Sequence, residues 1–103
     1  EDRFTDQPEV EAELRTTIGK TYQAIGLLDE ADRHLSRAAA LRDTASPAER
    51  LRARLRVGVL RVEQDRLDEA ARLITEVRDA AAALGPVDES LFGDASVELA
   101  RVR

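Results

Sequence analysis

Apolar residues recur at steps of three and four along most of the chain, the spacing of one face of an α-helix. Val10, Leu14, Ile18, Tyr22 and Ile25 predict a first helix. It opens at Asp6-Gln7-Pro8-Glu9, with Pro just inside the start and carboxylates in the first turn. Gly26 breaks it. A second helix is predicted from about Asp29 to Arg42, with Ala31, Leu35, Ala38 and Leu41 inward. Ser46-Pro47-Ala48-Glu49 combines an N-cap, a Pro at the first helical position and a capping-box Glu. The third helix then covers about Pro47 to Gln64, with Leu51, Leu55, Val59 and Val62 as its main stripe. Val57 and Leu60 make it apolar on a second side, as suits an element packed between two others. A fourth helix runs from about Leu67 to Leu84, with Leu67, Ala70, Leu73, Ile74, Val77, Ala81 and Leu84 inward, and Gly85-Pro86 ends it. Asp88 is placed to cap a fifth helix holding Leu91, Phe92, Ala95, Leu99 and Val102. The fold class is all-α.

The helices come in pairs that echo each other. Leu28-Asp29-Glu30-Ala31 returns as Leu67-Asp68-Glu69-Ala70, 39 residues on, and Gly19 returns as Gly58 at the same offset. A self-similar block of this length with one turn inside it marks an array of helical-pair repeats. The stripes of the first and third helices, however, align best at Leu14 and Leu51, an offset of 37. Two registers therefore compete. The expected organisation is a single repeat domain over 1–103, with a lead-in at 1–7, repeat one at about 8–45, repeat two at about 46–85 and a half repeat at 87–103. Gly19 inside a helix costs up to about 1 kcal/mol relative to Ala; close approach of a neighbouring backbone is the expected return.

Composition narrows the options. Hydrophobic residues make up 43% of the chain, yet Tyr22, Phe4 and Phe92 are its only aromatic residues. Such a core is Leu, Val, Ile and Ala, which suits closely packed helices better than a deep ligand pocket. A net charge of −5 and a pI near 4.9 argue against binding a nucleic-acid backbone. Arg50, Arg52, Arg54 and Arg56 cluster, but alternate residues on a helix spread over its sides. Without cysteine there are no disulfides, thiolate metal sites or cysteine nucleophiles. No apolar run approaches the roughly 20 residues that span a bilayer, so this segment is not expected to touch a membrane. A cytoplasmic setting is the default, with a membrane anchor elsewhere in the parent protein left open. The opening Glu1-Asp2-Arg3, without Met, suggests a piece of a longer protein.

Candidate chemistry is sparse, and neither an enzyme nor a cofactor is expected. His34 is the single histidine and has no second His or Cys to share a metal. Glu30, one turn before it, is its expected partner. Asp29/Glu30 and Asp68/Glu69 are paired carboxylates, but they open helices, where acidic side chains complement the dipole. The serines lack an activating motif, and Gly19, Gly26 and Gly58 form no phosphate-cradling loop.

The arrangement resembles the tetratricopeptide repeat (TPR). Ile18-Gly19, Tyr22, Gly26, Leu28, Glu30-Ala31, Leu35 and Ala38 carry the likeness in the first unit; Val57-Gly58, Leu67, Glu69-Ala70, Ile74 and Val77 carry it in the second. The second unit departs from the pattern at Arg61 and Asp65, and the block is longer than the family's usual length of about 34. That length, with Gln7-Pro8-Glu9-Val10-Glu11-Ala12-Glu13-Leu14 and Thr17-Ile18-Gly19-Lys20-Thr21-Tyr22, is similar to extended repeats attached to bacterial serine/threonine protein kinases. The resemblance implies a TPR-like α-solenoid of about two repeats plus a fifth helix. It further implies a non-catalytic protein–protein interaction module in a larger bacterial signalling protein, with the first helix of each unit lining a groove for a peptide or partner protein. By position the groove residues are Glu13, Thr16, Lys20, Gln23 and Ala24, then Arg52, Leu55, Val59, Val62 and Glu63. Leu55, Val59 and Val62 also belong to the core stripe, so core and groove floor remain alternatives for them. Lys20 and Arg52 are placed to receive an acidic segment.

A second expectation is a structural or regulatory segment packed on a kinase domain or on itself, with no separate ligand. Leu91, Phe92, Leu99 and Val102 lack a following helix, so self-association through a poorly covered C-terminal face is expected.

Overall fold

The computed structural model describes residues 7–42, 46–84 and 89–102. They form five helices: α1 Pro8–Ala24, α2 Leu28–Leu41, α3 Pro47–Glu63, α4 Leu67–Ala83 and α5 Glu89–Val102. Among the described residues there is no strand. Each helix packs against its neighbours in sequence, and α3 also touches α5. Phe4, the connection Asp43–Ala45, the Gly85-Pro86 stop and the Asp88 cap lie outside the described residues.

Local chemistry explains the helix starts. Ser46 is extended (ψ 154°) and its Oγ accepts the Glu49 N–H at 3.3 Å, a cap worth about 1 kcal/mol. Neither α2 nor α4 has a side-chain cap; both place an acidic pair, Asp29/Glu30 or Asp68/Glu69, in the first turn against the positive end of the dipole. Glu30 bonds Arg33 rather than His34, and Glu69 bonds Arg66 at 2.8 Å.

The competing registers resolve at 39. Gly26 (φ 84°) and Asp65 (φ 63°) take the same left-handed conformation at the turn inside each pair, where Gly fits freely and a short Asp is tolerated. A Cβ on Gly19 would stand 2.7 Å from Leu35, and one on Gly58 2.7 Å from Ile74. Leu35 and Ile74 are themselves 39 apart. Each pair is thus keyed by a side chain seated in a glycine notch. The close approach expected at Gly19 is made chiefly by that side chain, with the Ala31 carbonyl 3.4 Å away.

The core has two parts. The larger joins Leu51 and Leu55 of α3, Ala70, Ile74, Val77 and Ala81 of α4, and Leu91, Ala95 and Leu99 of α5. The smaller joins Ala31 and Leu35 of α2 to Val57 and Leu60 of α3, with Tyr22 and Leu28 at its edge. Two expectations are corrected here. Leu91 and Leu99 are fully covered, leaving Phe92 and Val97 as the large exposed apolar residues of α5. On α1 most of the anticipated core stripe faces outward: Val10, Leu14, Ile18 and Ile25 are 41 to 65% exposed, while Tyr22 of the same stripe is half-buried against the smaller core. α1 instead presents Ala12, Gly19 and the shank of Glu11 to its neighbours. Small side chains permit the close contact with α2, and this contact fixes the rotation of α1. Spacing alone cannot say which of two faces meets the neighbour.

A polar joint ties α2 to α3. Asp32 of α2 meets Arg61 at 3.0 Å, the Gln64 amide at 3.2 Å and Arg66 at 3.7 Å, and accepts a hydrogen bond from Ser36 at 2.7 Å. Burial alone would push its carboxyl up; the Ser36 hydroxyl, the Gln64 amide and the Arg61 guanidinium outweigh it and hold the carboxyl below the ordinary range.

Candidate functional site: the groove across α1, α3 and α5

Helices α1, α3 and α5 border a groove of about 350 Å³. Lys20 and Gln23 come from α1; Arg52, Leu55, Arg56 and Val59 from α3; Asp94, Val97 and Glu98 from α5. Leu55 and Val59 settle their alternatives by serving both roles. Leu55 belongs to the main core cluster and Val59 packs against it, while both also form the apolar floor of the groove. Val62 packs on the core and does not line the groove.

The polar candidates divide. Lys20, Gln23 and Arg52 are brought together, as the sequence reading expected. Glu63 stands at the rim, its Oε1 accepting a 2.7 Å hydrogen bond from Gln23 Nε2 across the α1–α3 gap. Thr16 is turned into its own helix, where its hydroxyl donates to the Ala12 carbonyl at 2.8 Å. Glu13 lies away from the groove, beside a separate hollow with Pro8, Glu9, Val10, Leu41, Arg42 and Glu49. Ala24 is exposed and not part of the lining. The site set therefore loses Glu13 and Thr16. Both share a face with Lys20, at i+4 and i+7 spacing, so they leave the groove by position along α1, one and two turns toward its N-terminus, and not by rotation.

The groove also holds residues missed by the sequence reading. Arg56 follows Arg52 by four positions and shares its face, so the arginine cluster does place two cations together. Arg54, between them, is exposed outside the groove. Burial first, then the nearby Arg42 and Arg52 charges, push the Arg56 guanidinium below its ordinary value. From α5 come Asp94, 3.9 Å from Arg52, and Glu98, which pairs with Arg101 at 3.1 Å. The i,i+4 spacing of Asp94 and Glu98 was a readable signal for one shared face. The result is a groove with cations on α1 and α3, carboxylates on α5, and an apolar floor between them.

His34 sits apart, stacked on Tyr22 with ring centroids 5.7 Å apart and Nδ1 3.4 Å from Arg15. Among the described residues there is no group of three His, Cys, Asp or Glu placed to hold a metal ion, and no helix long and apolar enough to cross a membrane. Comparison of the chain with protein-family models, curated proteins and solved structures gives no match.

Proposed function

We propose that the chain is a non-catalytic interaction module of the tetratricopeptide type, about two helix pairs plus a fifth helix in an α-solenoid, within a larger bacterial signalling protein. Its groove receives an extended peptide carrying an acidic residue beside an apolar one. The carrying observation is the convergence of Lys20, Arg52 and Arg56 over the floor of Leu55 and Val59, in a chain whose net charge is −5. A half-buried guanidinium beside two other arginines gains from an incoming carboxylate, which offsets both the like-charge repulsion and the loss of water. Asp94 and Glu98 on the opposite wall disfavour a peptide that is acidic throughout and select one with a single acidic position. The 39-residue correspondence of glycine notches and left-handed turns supports the repeat reading.

The test is selection from a random peptide library displayed on phage, comparing the chain with a Lys20→Glu/Arg52→Glu variant of equal helical content. Enriched peptides are expected to pair Asp or Glu with Leu, Ile or Val, to bind the variant at least about tenfold more weakly, and to weaken with added salt. Enrichment identical for both proteins, or none for either, overturns the groove reading.

A further inference from the structure

One wall of the groove carries more positive charge than a single carboxylate needs. Arg52 and Arg56 stand one turn apart on the same face of α3, and Lys20 borders the same groove from α1. Among the described residues, no hydrogen bond or ion pair reaches the side chain of Lys20 or Arg56. Arg56 is half-buried, and the loss of water together with the Arg42 and Arg52 charges holds its guanidinium below the ordinary value. The carboxylates nearby do not relieve it. Asp94 stands 3.9 Å from Arg52, beyond hydrogen-bond reach, and Glu98 is engaged by Arg101 at 3.1 Å. Glu63 at the rim accepts from the Gln23 amide, and Glu49 lies 3.9 Å from Arg42.

We propose, resting on the peptide-binding role of this groove, that the acidic position it reads is a phosphorylated serine or threonine. The phosphate is held between Arg52, Arg56 and Lys20, and an apolar neighbour in the peptide rests on Leu55 and Val59. Charge favours this anion. A carboxylate has two oxygens and one charge, enough for one guanidinium fork. A phosphate monoester carries a charge of about −1.5 to −2 at pH 7 and three strong acceptor oxygens, so both arginines and the Lys20 ammonium find a partner. Distribution of charge favours it too. Asp94 and Glu98 repel a ligand whose acids are spread along the peptide, whereas one phosphorylated side chain concentrates its charge against the cationic wall. Spacing then limits the side chain that bears it. Leu55 adjoins Arg56, and Val59 lies about one turn on, so a short phosphorylated residue keeps its neighbour on the floor. A phosphotyrosine ring would lift the peptide away, and among the described residues lining the groove there is no aromatic side chain to receive it.

The test uses three peptide libraries of one design, with randomised flanks and a fixed central phosphothreonine, glutamate or unmodified threonine. Each is presented to the intact chain. The phosphothreonine library is expected to be retained most strongly, with Leu, Ile or Val enriched beside the fixed position. An enriched phosphothreonine peptide, measured by anisotropy, is expected to bind at least about tenfold more tightly than its glutamate version. Its affinity should rise from about pH 5.5 to 7.5 as the phosphate gains its second charge, while the glutamate version changes little. Arg56→Gln, at equal helical content, is expected to weaken the phosphothreonine peptide at least about tenfold.

Equal binding of the phosphothreonine and glutamate peptides, both weakened by Lys20→Glu/Arg52→Glu, overturns the phosphate assignment and leaves the peptide groove standing. Retention of none of the three libraries overturns both. Unchanged phosphothreonine binding in Arg56→Gln overturns the assignment by placing the phosphate elsewhere. A phosphotyrosine version that binds equally well overturns the restriction to serine or threonine.

Discussion

Helices α1 and α3 have corresponding positions and opposite surroundings. Both open on a Pro, both carry a glycine notch, and both end before a left-handed turn. Yet α3 is covered on two sides while α1 packs chiefly on α2. The difference is one of neighbours, and it shows that a periodic apolar stripe reports where a helix is able to bury surface, with no guarantee that it does so. Composition carries a trace of this. The buried face of α1 holds Ala12 and Gly19, where α3 holds Leu51 and Gly58, so the larger apolar residues of α1 lie on its outer face.

The largest contrast should come from removing similar bulk at sites of opposite exposure, Ile74 at 0% and Leu14 at 44%. Ile74→Ala empties a fully buried site in the main core and is expected to lower unfolding stability by about 3 kcal/mol. Leu14→Ala removes a similar volume from the open face of α1 and should change stability by no more than about 0.5 kcal/mol. Urea melts of the two variants compare them directly, and equal losses would contradict the exposure of Leu14.

Filling the notches sharpens the comparison between pairs. Gly58→Val drives a side chain into the β-branched Ile74, and a loss of about 2 kcal/mol is expected. Gly19→Val meets both the branch carbon Cγ and Cδ2 of Leu35 at 2.7 Å, with the Ala31 carbonyl 3.4 Å away, so its loss should be larger, about 3 kcal/mol. Thermal melts showing the reverse order would place the tighter pair at the C-terminal end.

The smallest effect concerns the polar joint. Asp32→Asn should cost about 1 kcal/mol near neutral pH. The folded carboxyl is held below its ordinary range, so its contribution is complete above that range and is lost as pH falls through the folded value. Wild type and variant should therefore differ by a constant amount from about pH 5 to 8 and converge below about pH 4. A gap that persists in acid would assign the effect to packing.

Most of the architecture was legible because it depends on local chemistry. Ser46 and Pro47 fix the start of α3, the Leu-Asp-Glu-Ala phrases fix those of α2 and α4, and the glycines at 19 and 58 set the register. The groove was half legible. Lys20, Gln23 and Arg52 fall where a first-helix reading puts them, whereas Thr16 and Glu13 lie one and two turns further toward the N-terminus of α1, outside the groove. Arg56, Asp94 and Glu98 needed the packing of α5 on α3, a long-range contact with no counterpart in local spacing. The rotation of α1 was not legible for the same reason: two faces had plausible small or apolar residues, and the decision belongs to α2.

The notch and the turn recurring together have a consequence for how such a chain can change length. An insertion or deletion of a few residues between them would put Leu35 or Ile74 out of phase with its glycine and rotate every helix beyond the edit. Duplicating a whole 39-residue block, cut at the equivalent turns Gly26 and Asp65, preserves both features and supplies each new helix with a ready-made seat. Within each pair the spacing of notch, turn and seated side chain is therefore fixed, and length is free to change only outside that span.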